Sequence, residues 1–457
     1  MLERLAAAVR DGSVSPTELV ERSLRRIEAS NDDLNAVVAL RAEEALAEAA
    51  AHPRTGPLAG LPLLVKDMAR CAGMRTTMGS PLYADAPVDE VDDIVVARLR
   101  AAGAIVVGRT NSPAFGHAPF TSNSVFGPTR NPWNLERSPG GSSGGSAAAL
   151  IAGLAPLATT SDGGGSVRIP ASVCGLVGYK PTMGAIGRNV LPRWIEFSTQ
   201  GTTGATVADV VAEASVTHGP ADGDWVSMPK GTIPLDPRRP TRVLACRTFR
   251  ADVDPVIEAA YDRTLDVLAD AGFRVEHVPA PSNPDAVVDW FMMSSAEISQ
   301  SLLEHRDRWD ELEESLRGQL LVGASVTTEV YLAAQRRRHE VGARIDATLD
   351  ANGRADAVLL VPTANVQSWG PEGPTANSAG SVTDDATIAL NTPELNATGH
   401  PAVSVPIGHD EVGVPIGLQV VAPRCRDNLA LGLAAALEEL QPWERSAPGY
   451  EPFDAGL

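Results

Sequence analysis

Ser138-Pro139-Gly140-Gly141-Ser142-Ser143-Gly144-Gly145-Ser146 and Asp162-Gly163-Gly164-Gly165-Ser166-Val167-Arg168-Ile169-Pro170 are two serine-glycine clusters whose serines Ser142 and Ser166 stand 24 residues apart. A lone Gly/Ser run is ordinarily a flexible loop. Here the first cluster leads straight into a run of small residues with helical character, and the second follows the apolar run 154–160. Both therefore sit at element termini, where backbone N–H groups lack partners. Glycine at such a terminus lets a ligand oxygen approach the main chain, and several N–H donors aimed at one point form an oxyanion hole.

Phosphate loops use the same physics, but the Walker pattern needs Gly-Lys-Ser/Thr and neither cluster contains lysine. A pyrophosphate fingerprint needs a strand before the glycines, and Asn131-Pro132-Trp133-Asn134 reads as a turn. Gly140-Gly141-Ser142-Ser143-Gly144 matches G-x-S-x-G, yet Arg137-Ser138-Pro139 precedes it where a nucleophile elbow requires a strand. None of the eight histidines stands in a triad context, His117 and His400 included; both read as structural. A serine nucleophile must then find another base.

Lys66 closes the apolar run Gly60-Leu61-Pro62-Leu63-Leu64-Val65, so its stem is expected to be buried at a strand end. A snorkelling lysine with its amine in water is the ordinary alternative. To serve as a base near neutral pH the amine must fall from about 10.4 towards 7, an effect of about 4 kcal/mol that desolvation supplies. Asp67 would oppose the fall, but successive strand side chains point to opposite faces. Ser-Lys pairs replace Ser-His in known hydrolases.

Outward from these residues, helices and strands alternate. Ser15-Pro16-Thr17-Glu18 opens a helix, 61–65 and 104–107 read as strands flanking a helix over 91–102, and helix 146–153 precedes strand 157–160. Helix 253–271, strands 273–278, 357–361, 402–407 and 416–421, and a closing helix over 428–440 continue the pattern, which is that of a layered α/β protein. Residues 283–352 are helical and charged, 370–381 form a Pro/Gly/Ser-rich loop, and no linker or repeat interrupts the chain.

With Lys66-Asp67, Asn131-Pro132-Trp133, both clusters and Gly178-Tyr179-Lys180-Pro181-Thr182 in place, the chain resembles the amidase signature family. The similarity extends to Gly12-Ser13-Val14-Ser15, Asn396-Ala397-Thr398-Gly399-His400-Pro401 and Gly417-Leu418-Gln419-Val420. It implies one large α/β/α sandwich spanning 1–457 around a mixed, mostly parallel central sheet. The signature core lies at about 60–200, and the helical insertion 283–352 shapes the substrate site. It further implies that Ser166 is the nucleophile, Ser142 relays its proton, Lys66 is the base, and a cis peptide precedes Ser142. The backbone N–H groups of Gly163, Gly164, Gly165 and Ser166 would hold the oxyanion. Gly163 departs from the family, which more often has a side chain there; a position that contributes its N–H tolerates glycine. Ser143, Asp162 and Arg168 act either directly or as a hydrogen-bonded brace for the loops.

The implied reaction is cleavage of a small carboxylic amide through an acyl-enzyme, without metal or organic cofactor. The alternative is the glutaminase subunit of a tRNA-dependent amidotransferase. A net charge of −19 argues against direct binding to nucleic acid. The four cysteines, Cys71, Cys174, Cys246 and Cys425, form no CxxC pair and fit a reduced cytoplasmic protein; Cys174 reads as a small packing residue. The first residues lack a signal-peptide pattern, and the longest apolar stretch, 147–158, is too short to span a bilayer. A homodimer is the expected assembly. Segments 114–120, 191–197 and 290–293 are the candidate apolar walls of the pocket.

Overall fold

The computed structural model describes residues 1–249, 252–283, 285–351, 355–373 and 391–457. The helix Pro16–Leu34 starts where the sequence places it. Ser15 Oγ accepts from the Glu18 N–H at 3.1 Å and the Glu18 carboxylate accepts from the Ser15 N–H at 2.7 Å, a closed capping box with proline in the first turn. Its face bearing Leu19, Val20 and Ile27 is buried.

The described strands are β1 (Val37–Leu40), β2 (Pro62–Lys66), β3 (Ile105–Thr110), β4 (Leu157–Ala158), β5 (Thr160–Asp162), β6 (Val177–Lys180), β7 (Thr199–Gly204), β8 (Arg242–Ala245), β9 (Arg274–His277), β10 (Ala357–Pro362), β11 (Ala402–His409) and β12 (Pro415–Val421). They form a small sheet ordered β1-β3-β2-β4 and a large one ordered β5-β7-β6-β11-β12-β10-β8-β9. Only Thr159 separates β4 from β5, so the segment expected as one strand over 157–160 instead passes from one sheet to the other. The Lys66 N–H donates to Thr159 Oγ1 at 2.8 Å and the Thr159 N–H donates to Leu64 O at 2.9 Å, which pins the end of β2 at that seam.

The sheet is mixed, as expected, but not mostly parallel. Among the described residues six strand pairings are antiparallel and four parallel. Parallel pairing needs a long crossover, and the chain supplies such crossovers at β2-β3, β2-β4, β8-β9 and β8-β10. Elsewhere neighbouring strands run against each other: β11 and β12 form a hairpin across five residues, and β6 enters between β7 and β11 with both neighbours reversed.

Helices cover both faces of the large sheet. Along β11 and β12, Val403, Val405, Ile407, Leu418 and Val420 pack with helices Pro255–Asp270 and Asp427–Leu440 in one core. Gly417 and Gln419, offset by one residue, face the helix Arg168–Cys174 that follows Ser166. Residues 283–352 contribute helices Ala286–Ser301, Glu314–Ser325 and Thr328–Leu349, with a 3-10 stretch at Leu303–Glu311. Residues 352–354, and 374–381 of the expected loop 370–381, lie outside the described residues. Among the described residues no helix is long and apolar enough to cross a membrane.

The helix Arg168–Cys174 reaches the sheet only because position 417 has no side chain. A Cβ there would stand 2.2 Å from Ser172 Cβ and 2.8 Å from Ser404 Oγ. Gly417→Ala is expected to destabilise the protein by about 1–3 kcal/mol, as overpacking does. Denaturant unfolding measures this, and an unshifted midpoint would contradict the contact.

Candidate active site

Lys66 ends β2 with its side chain buried beneath the two clusters. Its Nζ contacts Ser142 Oγ at 2.8 Å, Ser143 Oγ at 2.9 Å and Ser161 Oγ at 3.1 Å. Burial lowers the amine from 10.5 to about 7, against a smaller opposing pull from Asp162. A neutral amine has two N–H donors and one lone pair, so one of three surrounding hydroxyls must donate to it. Ser143 Oγ already donates to Ser161 O at 3.2 Å. The lone pair is left to Ser142 or Ser161. Asp67 turns to the other side, where Thr77 and Arg109 hold it.

Ser142 lies in the loop before the helix Gly144–Ile151, with a cis Gly141-Ser142 peptide. Thr121 clamps this loop: its Oγ1 donates to Gly140 O at 2.8 Å and accepts from the Gly144 N–H at 3.1 Å. The Ser143 N–H donates to Ser166 O at 3.3 Å, so the two clusters touch.

In the second cluster every carbonyl from Asp162 to Gly165 is anchored. Asp162 O accepts from Asn396 Nδ2 at 2.9 Å, Gly163 O from Trp290 Nε1 at 3.0 Å, Gly164 O from Thr392 Oγ1 at 2.6 Å and Gly165 O from the Ile169 N–H at 2.7 Å. Carbonyl and N–H of a trans peptide point opposite ways. The N–H groups of Gly163, Gly164 and Ser166 consequently face away from these anchors and meet no acceptor among the described residues. Gly165 is different: its N–H donates to Asp162 Oδ1 at 2.7 Å and is unavailable to an oxyanion, which corrects the expectation for that residue. A Cβ at Gly163 would stand 2.5 Å from Trp194 Cε3, and one at Gly164 2.3 Å from Trp290 Cζ2. The glycine at 163 thus fits because Trp194 occupies the space a side chain would need.

Asp162 and Arg168 brace the loop from below and do not line the cavity. Arg168 Nε and Nη2 donate to the two Asp162 oxygens at 2.9 and 2.8 Å. Nη1 donates to Thr392 O and Gln419 Oε1 at 3.0 and 2.7 Å, and Nη2 also donates to Asn396 Oδ1 at 2.5 Å. All five guanidinium N–H groups are used. Burial alone would raise the Asp162 carboxyl; the Arg168 guanidinium overrides it and holds the carboxyl well below the usual carboxylate range.

Lys66, Ser142, Ser161, Gly163 and Ser166 line one cavity of about 830 Å³. The Ser166 hydroxyl makes no hydrogen bond among the described residues. Of the expected walls, Phe115 and Gly116 line the cavity, as do residues 191–195. The third does not: Trp290 braces Gly163 O, Met293 is fully buried in the core behind Phe115 and Trp194, and Glu297 and Ser301, further along the same helix, form the wall instead. His117 bonds Ala114 O and Ser315, and His400 bonds Thr398 and Asp346, both away from the cavity.

A family model described as Amidase matches residues 18–431. The chain belongs to the amidase family. It is 36% identical to a glutamyl-tRNA(Gln) amidotransferase subunit of Thermus thermophilus, covering 96% of this chain and 97% of that protein. It is 32% identical to an acylamidase of Rhodococcus erythropolis, covering 97% and 96%. Among solved structures it is similar to 6-aminohexanoate cyclic dimer hydrolase complexed with substrate, with a TM-score of 0.88 at 30% identity over 98% of both chains. This amidase is an amide hydrolase.

Sequence reasoning missed Ser161, which reaches Lys66 from β5, and gave no role to Thr392, Asn396 and Gln419. The last two sit in segments quoted for their resemblance, and strand alternation at β12 is the signal that turns Gln419 toward Arg168. Arg168→Met is expected to cost about 3–5 kcal/mol in unfolding free energy, because it leaves the Asp162 carboxylate buried without its partner. A loss under about 1 kcal/mol would show that the pair does not support the loop.

Proposed function

We propose that Ser166 is the nucleophile of this amidase, with Ser142 and Lys66 as its proton relay. The observation that carries the reading is the 2.8 Å contact between the buried, near-neutral Lys66 amine and Ser142 Oγ in the cavity that Ser166 lines. Ser166 Oγ attacks the amide carbon while its proton moves to Ser142 Oγ and the Ser142 proton moves to Lys66 Nζ. The carbonyl electrons collect on oxygen, held by the N–H groups of Gly163, Gly164 and Ser166. Lys66, now an ammonium, returns a proton through Ser142 to the leaving nitrogen, and the C–N bond breaks. Water enters the acyl-enzyme by the reverse path and releases the acid.

Ser166→Ala is expected to abolish turnover and covalent labelling by a fluorophosphonate. Labelling of that variant at the normal rate would reject the nucleophile.

Because the working form of Lys66 is the neutral amine, kcat/KM on an amide without titrating groups is expected to rise with pH through about 7. Lys66→Ala should lose about 10²–10⁴-fold and this limb of the profile. A profile unchanged in the variant would reject the base.

The substrate is a small carboxylic amide. The four cysteines are unpaired, which supports a reducing cytoplasmic setting, and we expect a homodimer. The likeness to an amidotransferase component favours a second reading, a glutaminase subunit. Purified alone, a hydrolase turns over simple aliphatic or aryl amides. A chain that releases ammonia only from glutamine, and only with copurifying subunits, would support the second reading.

A further inference from the structure

One wall of the cavity carries an acid without a counter-charge. Glu297 lines it from the helix Ala286–Ser301. Its Oε1 accepts from Tyr331 OH at 2.8 Å and its Oε2 from the Glu196 N–H at 3.3 Å, so neutral donors on two different elements fix the carboxylate. An ionised carboxylate has about four acceptor sites, and these bonds, even with the Ile195 N–H that also acts on it, leave capacity unused. No ion pair to Glu297 exists among the described residues.

Of the cations that line the cavity, Lys66, Arg70, Arg188 and Arg193, none forms an ion pair with Glu297 among the described residues. Glu196, the adjacent acid, pairs with Arg338 Nη1 at 2.8 Å. Arg193, in the same cavity, donates to Ser301 O and to Tyr83 OH, both at 3.0 Å, and lies over the rings of Tyr83 and Phe115. Arg188 is paired with Asp224 at 3.2 Å. Gln335, beside Tyr331, is neutral and donates to its hydroxyl at 3.3 Å. At the reacting end of the cavity stands Lys66.

Burial raises the Glu297 carboxyl to about 7, helped by the negative charge of Glu196 and opposed by the hydrogen bonds from Tyr331 and from the Glu196 and Ile195 N–H groups. A carboxylate kept in a partly dry cavity with no cation of its own protein in contact with it is costly to ionise. A ligand that brings a positive charge removes that cost.

We propose that Glu297 determines substrate specificity by pairing with an ammonium group on the substrate, so that the amides this enzyme prefers carry a basic amine remote from the scissile bond. This rests on the reading of Ser166 as nucleophile, because the amine is positioned relative to a bond cut in the same cavity. The prediction is a ratio. Across a series of chain lengths, ω-aminoacyl nitroanilides are compared with alkanoyl nitroanilides of the same length, and N-acyl diamines with N-acyl alkylamines. At pH 8 the wild-type enzyme should favour the ammonium member of at least one series by about tenfold or more in kcat/KM. Glu297→Gln should lower that ratio by about tenfold while changing kcat/KM for the uncharged member less than about threefold. In the wild type the ratio should grow as pH rises through about 7, since Glu297 binds a cation only when ionised. The Lys66 titration is common to both substrates and divides out.

Tyr331→Phe provides the second variant. It keeps the carboxylate but removes a donor to it, so the midpoint of the ratio should move to higher pH. Preference for the uncharged substrate, a ratio that survives Glu297→Gln, or a midpoint unmoved in Tyr331→Phe would each overturn the assignment. Ser166→Ala separates the two readings: turnover persisting in that variant defeats the nucleophile, whereas loss of turnover with no ammonium preference in the wild type defeats Glu297 alone.

Discussion

The buried pair between Asp162 and Arg168 is the contact through which the parts of this site are joined. Arg168 opens the helix after Ser166, and its guanidinium reaches the carboxylate at the end of β5, Gln419 on β12, Asn396 on helix Pro393–Thr398 and the Thr392 carbonyl. Three separate elements, β5, β12 and the helix Pro393–Thr398 with its cap Thr392, thereby converge on one cation whose donors are all used. Asp162 in turn accepts from the Gly165 and Val167 N–H groups, which sets the conformation of the turn carrying Ser166. A bidentate arginine is suited to this task because its planar fork fixes direction as well as distance. The pair is an investment in geometry more than in stability: burying two charges gains little, but removing either leaves the other uncompensated.

From that brace the electrostatics of the cavity follow. Lys66 sits close enough to feel the Asp162 charge, yet that charge is already shared with Arg168, and burial of the amine prevails. Three hydroxyls surround the amine where a carboxylate would have kept it protonated. The seam between the two sheets makes this possible. With Thr159 as the single residue between β4 and β5, the chain supplies a hydroxyl acceptor for the Lys66 N–H at the end of β2 and then, two residues on, the Ser161 hydroxyl for the lysine amine itself. The helical segment 283–352 acts on the same cavity from the opposite side, with Trp290 buttressing the glycine turn and Glu297 forming part of the wall.

Much of this was legible in the chain. Apolar runs bounded by turn residues located the ends of β2, β3, β10, β11 and β12 to within a few positions, because strands buried on both faces leave long apolar signatures. The capping box at Ser15 and Glu18 located a helix start, since its chemistry is local. The strand orientations were not legible: whether β6 runs with or against β11 depends on which strands become neighbours, and no local pattern records that. The seam at Thr159 was missed for the same reason, as 157–162 is extended throughout and only its change of partner divides it.

The sequence by itself determined the residue types and the spacing: a lysine at an apolar strand end, two serines in glycine clusters, and an Asp162-Arg168 pair at i and i+6. Those are covalent facts, and together with family membership they specify the class of chemistry. Only the tertiary structure decided which groups meet and in what protonation state. The fall of the Lys66 amine to about 7 arises from packing by residues far away in the chain. The filling of the space beside Gly163 by Trp194 and the appearance of Glu297 in the wall in place of residues 290–293 are likewise matters of which side chains arrive from elsewhere, whereas the loss of the Gly165 N–H to Asp162 is set locally by the conformation of the turn. Desolvation and hydrogen bonding depend on three-dimensional neighbours, and one-dimensional spacing cannot encode neighbours that are remote in the chain.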